Sequence, residues 1–265
     1  MRNLSPVLLI ALALSTMAPA PLTPETDQGG WISLFNGKNL DGWTPKVAGY
    51  APGVNAGNVF RAEDGVLKIA YDQYGNQFAN QFGHIFYRDT FSYFILRMQY
   101  RFVGEMLPDA PGYCYRNSGV MFHSEGPDDM ALDQYWPVSL ETQLLSSTDS
   151  VQQTTANMCT PGTTVHLNGK FTDEHCIASD SGHFPDSVWI DLEIVVQGSG
   201  ATHHIINGDT VLSFTKPQLG GYLLPADYPM PPGTVLRSGY IALQAEGQPI
   251  EFRKIRLKKL RPGRF

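Results

Sequence analysis

Phe94-Ile95-Leu96-Arg97-Met98-Gln99-Tyr100-Arg101-Phe102 is the stretch on which the fold reading turns. Phe94, Leu96, Met98, Tyr100 and Phe102 recur at every second position, and Arg97, Gln99 and Arg101 stand between them. A period of two places one set on the buried face of a β-strand and the other on its solvated face. The period returns around Leu140-Glu141-Thr142-Gln143-Leu144, with Leu140 and Leu144 inward and Ser139, Glu141 and Gln143 outward. It returns again over residues 190–196. Residues 202–206, then Asn207-Gly208, then 210–214 read as a strand, a tight turn and a returning strand, because Asn-Gly favours the turn that joins hairpins. Residues 239–244 and 250–260 supply the last two strands. With no composition break between them, these elements predict one all-β sandwich domain over residues 31–261.

Composition agrees. Of 265 residues, 42% are hydrophobic and only 17% charged, which supplies a sizeable core and argues against disorder. A net charge of −6 removes the electrostatic case for a nucleic-acid partner, which would show a basic stripe. The 26 Gly and 19 Pro are scattered rather than periodic, which excludes collagen and suits a turn-rich β protein. Three connections are long, at roughly residues 104–117, 146–187 and 216–237, and could wall a cleft over the polar face of one sheet.

Residues 1–20 read as a signal peptide. Arg2 precedes the apolar run from Val7 to Leu14, too short to span a bilayer, and Ala18-Pro19-Ala20 has the small-x-small form of a cleavage site. Residues 21–30, with Pro21 and Pro24, form a stiff leader. The expected location is therefore periplasmic or secreted, with no integral membrane span. In an oxidising compartment Cys159 and Cys176 can pair across a polar loop of about 17 residues, worth roughly 3 kcal/mol on the chain-entropy estimate. Cys114 is left as a sheltered free thiol. Cys159, His166, His175 and Cys176 match no familiar zinc-ligand spacing.

Six segments, in chain order, resemble one known family: Trp31-Ile32-Ser33-Leu34-Phe35-Asn36-Gly37-Lys38-Asn39-Leu40-Asp41-Gly42-Trp43, Asn117-Ser118-Gly119-Val120-Met121-Phe122, Ser139-Leu140-Glu141-Thr142-Gln143-Leu144, His204-Ile205-Ile206-Asn207-Gly208, Gly239-Tyr240-Ile241-Ala242-Leu243-Gln244 and Glu251-Phe252-Arg253-Lys254-Ile255-Arg256-Leu257. They are similar to the 3-keto-disaccharide hydrolase domain family. The resemblance implies a concanavalin-like jelly roll of two curved antiparallel sheets, a secreted or periplasmic bacterial setting, and action on oxidised glycosides. The chain departs from the family pattern at His123, where Arg is frequent, at Gln99, where Glu is frequent, and at Glu246, where His is frequent.

The ketone of a 3-keto sugar acidifies the C2 proton, so a base can remove it and the C1 oxygen can leave. Water then adds to the enone. Such a site needs a base tuned near neutrality, a donor or cation at the enolate oxygen, and an acid for the leaving group. Alternation places Glu141, Gln143, His123, Gln244 and Glu246 on polar strand faces. His123 or Glu141 is the expected base, the other orienting it or acting as acid; Arg116 or Arg253 is the expected enolate stabiliser, and a divalent metal is the alternative. Gln143, Gln244, Glu246, His204, Gln99, Asn117 and Tyr74 are the expected substrate contacts. Tyr71, Tyr74, Phe78 and Phe82, set among Asn and Gln, form a candidate sugar platform. Trp31 and Trp43 are expected to plug the end of the sandwich, and Arg253 to sit at a bulge.

The leading expectation is an exported enzyme that cleaves 3-keto-glycosides by C2 proton abstraction, elimination and hydration. No nicotinamide or flavin fingerprint is present, so an upstream glycoside 3-dehydrogenase would have to make the ketone. The alternative is a non-catalytic carbohydrate-binding module of the cell envelope, because a fold does not fix a function.

Overall fold

The computed structural model describes residues 29–263; the signal-peptide expectation at residues 1–20 lies outside them. Two antiparallel sheets face each other. The long sheet runs through Lys170–Thr172, Thr163–Leu167, Asp209–Leu219, Ala201–Ile206, Ile190–Gln197, Tyr93–Phe102, Ile250–Lys259, Val66–Ile69 and Phe60–Glu63, and Trp31–Ser33 also pairs with Ile250–Lys259. The cleft sheet runs through Cys176–Ile177, Asn157–Cys159, Leu140–Leu145, Asn117–Ser124, Tyr240–Ala245, Gly83–Tyr87 and Trp43–Val47. This is the all-β jelly-roll sandwich that the alternation and the resemblance led us to expect.

The core lies where period two placed it. Phe94, Leu96, Met98, Tyr100 and Phe102 of the long sheet meet Val120, Phe122, Leu140 and Leu144 of the cleft sheet in one apolar cluster. Burying each large apolar side chain contributes about 1.5–3 kcal/mol, so this layer dominates the stability of the fold. Asn207 and Gly208 both take positive φ, at 51° and 97°, as the Asn-Gly hairpin requires. The 146–187 connection is not one loop: Asn157–Cys159 and Cys176–Ile177 extend the cleft sheet, while Thr163–Leu167 and Lys170–Thr172 extend the long one. Cys159 and Cys176 sit in register and are joined by a disulfide. Cys114 is buried and free. Among the described residues no helix is long and apolar enough to cross a membrane.

Two bulges redirect side chains. Met121 pairs with Ala242 but Ser124 pairs with Tyr240, so three steps on one strand oppose two on the other. The extra residue falls at His123, whose φ is 47°. Gly239 allows it, because a Cβ there would stand 2.6 Å from the His123 Cα. A bulge also sits at Lys254, φ 54°, between the Arg253–Gln99 and Arg256–Arg97 pairs. This is where the sequence placed one.

Several aromatic expectations need correction. Tyr71, Tyr74, Phe78 and Phe82 are not a sugar platform: all four are buried and join the core in edge-to-face contacts. Tyr74 is thereby removed as a substrate contact. Trp43 is buried and donates its indole N–H to the Leu34 carbonyl at 2.7 Å. Trp31 does not plug the sandwich but lies between the guanidinium groups of Arg97 and Arg256, each 4.8 Å from its ring.

Candidate active site

On the outer face of the cleft sheet, Gln244, Gly119 and Gln143 lie in one cross-strand row, and Ala242, Met121, Glu141 and Cys159 in the next. A cavity of about 340 Å³ opens over these rows, within the size range of small-molecule sites. Its floor carries Asn117, Glu141, Gln143, Gln244 and Glu246. Each long connection contributes to the wall: Tyr113 from the first, the disulfide and His175 from the second, Tyr222 and Leu223 from the third.

Gly119 makes room for the central side chain. A Cβ there would lie 2.8 Å from both Cγ and Cδ of Glu141 and nearer still to Oε1, so Glu141 leans over the bare Cα of the neighbouring strand. Glu141 and Glu246 are 6% and 3% exposed. Burial pushes the Glu141 carboxyl well above the usual carboxylate range, and the nearby Glu246 charge pushes it further. Burial lifts Glu246 to about 7, against the opposing pull of the Trp136 indole. Trp136 Nε1–H donates to Glu246 Oε1 at 2.8 Å. Two like groups in one dry site titrate as a pair, and such a pair retains a proton into neutral pH.

Trp136 is delivered by the connection between the Asn117–Ser124 and Leu140–Leu145 strands. There the Glu125 carboxylate accepts from Val138 N–H at 2.7 Å and from Gln134 Nε2 at 2.6 Å, and Gln134 Nε2 also donates to the Trp136 carbonyl. Buried Lys46 donates to Leu132 O at 2.9 Å and pins the same connection to the sheet. Asn117 Oδ1, Gln244 Oε1, Glu246 Oε2 and His175 Nδ1 have no hydrogen-bond partner among the described residues. Leaving a buried polar atom unpaired costs about 1–3 kcal/mol. Four such atoms belong to residues that line one cavity.

Of the sequence candidates, Glu141, Gln143, Gln244, Glu246 and Asn117 come together. The others do not. The bulge turns His123 off the cleft face, and its Nε2–H donates to Gly198 O at 2.9 Å in a turn of the long sheet. Burial lowers its pKa. Arg253 and Gln99 lie on the outer face of the long sheet, bonded to each other at 2.8 Å, with the guanidinium 3.9 Å from the Trp189 ring. Arg116 ion-pairs with Asp186 and stacks 5.0 Å from the Tyr115 ring, outside the cavity lining. His204 is buried between the sheets. Trp136, His175, Tyr113 and Tyr222 were not foreseen as site residues. The Tyr135-Trp136-Pro137 run just before the strand of Glu141 was the available signal for Trp136.

Among the described residues, no three His, Cys, Asp or Glu side chains are grouped as metal ligands; the floor offers two carboxylates beside amide side chains.

The profile of the 3-keto-alpha-glucoside-1,2-lyase-like domain family matches residues 30–258. The chain belongs to this family. The span of the 3-keto-alpha-glucoside-1,2-lyase-like domain contains both sheets, save Lys259 at the end of the last strand, and every cavity residue named above. A structure described as a "putative glycosyl hydrolase" from Parabacteroides distasonis ATCC 8503 superposes with a TM-score of 0.54 at 17% identity, covering 88% of this chain and 95% of that one. A second from the same organism, described in the same words, gives 0.51 at 19% identity, covering 87% and 99%. At these identities the likeness shows the fold. A search of curated proteins returned no match.

Proposed function

We propose that this domain is an exported lyase of 3-keto-glycosides, with Glu246 as the base and Glu141 as the acid. The observation that carries the reading is the buried carboxylate pair, Glu141 laid across Gly119 and Glu246 bonded to the Trp136 indole. Glu246, poised about neutrality, suits removal of the C2 proton; Glu141, held above the usual carboxylate range, keeps a proton for the departing oxygen. The C2–H electrons form the C2–C3 enolate, which collapses to expel the C1 substituent. The C1–O bond breaks, the leaving oxygen takes the Glu141 proton, and a 1,2-unsaturated 3-ketone remains. In hydration the roles reverse: Glu141 takes a proton from water adding at C1, and Glu246 returns one to C2. No oxidant is consumed. The ketone must therefore come from a separate glycoside 3-dehydrogenase.

Export is supported by the signal-like sequence of residues 1–20 and by the disulfide, which persists in oxidising compartments. The test is incubation of purified protein with 3-keto-trehalose or a 3-keto-glucoside, following free sugar and enone absorbance. Wild-type protein should release both, and Glu246→Gln and Glu141→Gln should lose at least about a hundredfold in turnover. Absence of turnover by wild type would reject the enzyme. The walls of Trp136, Tyr113 and Tyr222 above three amide side chains also suit a carbohydrate-binding module. That reading requires unmodified sugar to bind while no 3-keto-glycoside is consumed.

A further inference from the structure

The proposed elimination places negative charge on the C3 oxygen, and neither expected arginine lines the cavity. Of the lining residues, His175 alone bears a side chain that can become cationic. We propose that His175 is the donor to the enolate oxygen and that the Cys159–Cys176 disulfide holds it at the cavity wall.

The placement follows from the sheet. Glu141 pairs in register with Cys159, and Cys159 with Cys176, the residue after His175. Two strand spacings, about 10 Å at the backbone, separate the carboxylate strand from the imidazole segment and leave room for a pyranose ring. The Cys176–Ile177 strand is only two residues long and forms the edge of the cleft sheet. Beyond its ladder, the local ties are the disulfide and the His175 carbonyl, which accepts from Thr160 N–H at 2.8 Å and from Thr160 Oγ1 at 3.2 Å. These ties fix the backbone, and a hydrogen bond between the ring and the Thr160 backbone orients the imidazole. The ring stands edge-on to Tyr222, centroids 5.0 Å apart, and its Nδ1 is buried without a partner among the described residues.

Burial lowers the imidazole pKa, against the upward pull of the hydrogen bond to the Thr160 backbone, so at neutral pH the ring is neutral and carries one N–H. A neutral imidazole donates well to a developing enolate, since its N–H acidity is closer to that of the enol than an imidazolium's would be.

This inference rests on the proposed elimination, and the experiment separates the two. Turnover of a 3-keto-glucoside is measured for wild type, His175→Ala, His175→Gln, and Cys159→Ser with Cys176→Ser, each checked for folding by circular dichroism and melting. His175→Ala should lose about a hundredfold or more in kcat with KM little changed and the melting temperature held. His175→Gln, which keeps a donor, should recover part of the loss. The double serine variant should lose kcat comparably, and adding His175→Ala to it should cost little more. Wild-type inactivity overturns the elimination and this inference together. An active wild type with kcat unchanged in His175→Ala overturns His175 alone. Full kcat in a folded double serine variant overturns the role of the disulfide.

Discussion

The carboxylate of Glu141 occupies the space where a side chain of Gly119 would stand, one strand away. Both residues face the cavity, and their strands are in register, Gly119 opposite Gln143 and Met121 opposite Glu141. The position of the proposed acid is thus set by a missing methyl group. Gly119 does not take positive φ, so an alanine would be accepted by the backbone and refused only by the carboxylate.

Gly119→Ala should therefore cost about 1–3 kcal/mol of stability through overpacking and displace Glu141 from Glu246. Turnover of a 3-keto-glucoside should fall at least about tenfold while circular dichroism stays native. Equal turnover in the alanine variant would show that the leaning geometry is unnecessary.

Trp136→Phe keeps the wall apolar but removes the indole donor to Glu246 Oε1. Burial raises Glu246 and this hydrogen bond holds it down to about 7, so its loss moves the pKa upward. The proposed base must be ionised to work, so the rising limb of the pH–rate profile should shift to higher pH. A hydrogen bond to a charged group is worth about 1.5–3 kcal/mol, so turnover at pH 7 should fall roughly tenfold or more and recover in alkali. A uniform loss with an unmoved limb would mean that Trp136 acts on substrate alone.

The same carboxylate leaves a mark on stability. The Glu246 carboxyl titrates near 4.5 unfolded and about 7 folded, so between these values the native state keeps a proton that the unfolded chain releases. Stability from this group is present below 4.5 and is lost as pH rises through 7, by about 3 kcal/mol. Glu246→Gln should therefore gain on wild type by roughly that amount between pH 4.5 and pH 8 in denaturant titrations. His84 and His204, pushed down to about 3 and about 4 by burial, impose the opposite slope, but they are common to both proteins and cancel in the difference. Parallel wild-type and variant profiles would remove the buried-carboxylate assignment.

Period-two alternation made the sandwich readable from residues such as Phe94 and Leu140, because a strand buried on one face must alternate. It also placed Glu141, Gln143 and Gln244 on the cleft face. It failed at His123, where one inserted residue reverses the parity of everything after Phe122 until the strand ends. That insertion depends on a close approach to Gly239, a partner 116 positions away in the chain. Gln99 and Arg253 alternate correctly but on the other sheet, since alternation gives the face and not the layer. Trp136 and His175 arrive from connections, whose paths depend on tertiary anchors such as Glu125 and the disulfide.

His204 shows how a motif histidine can be structural. Its Nδ1 lies 2.9 Å from the Ala156 carbonyl, which can only accept, so Nδ1 carries the proton and Nε2 must accept. The Thr142 hydroxyl supplies that bond at 2.9 Å, linking the long sheet to the strand of Glu141. Thr142→Val keeps the shape and leaves Nε2 buried without a donor, which should cost about 1–3 kcal/mol. Adding His204→Phe removes the orphaned nitrogen and should return part of the loss, a coupling that denaturant titration of the four proteins would measure. kcat should hold throughout, because neither side chain reaches the cavity. A selective fall in kcat with stability intact would return His204 to the mechanism.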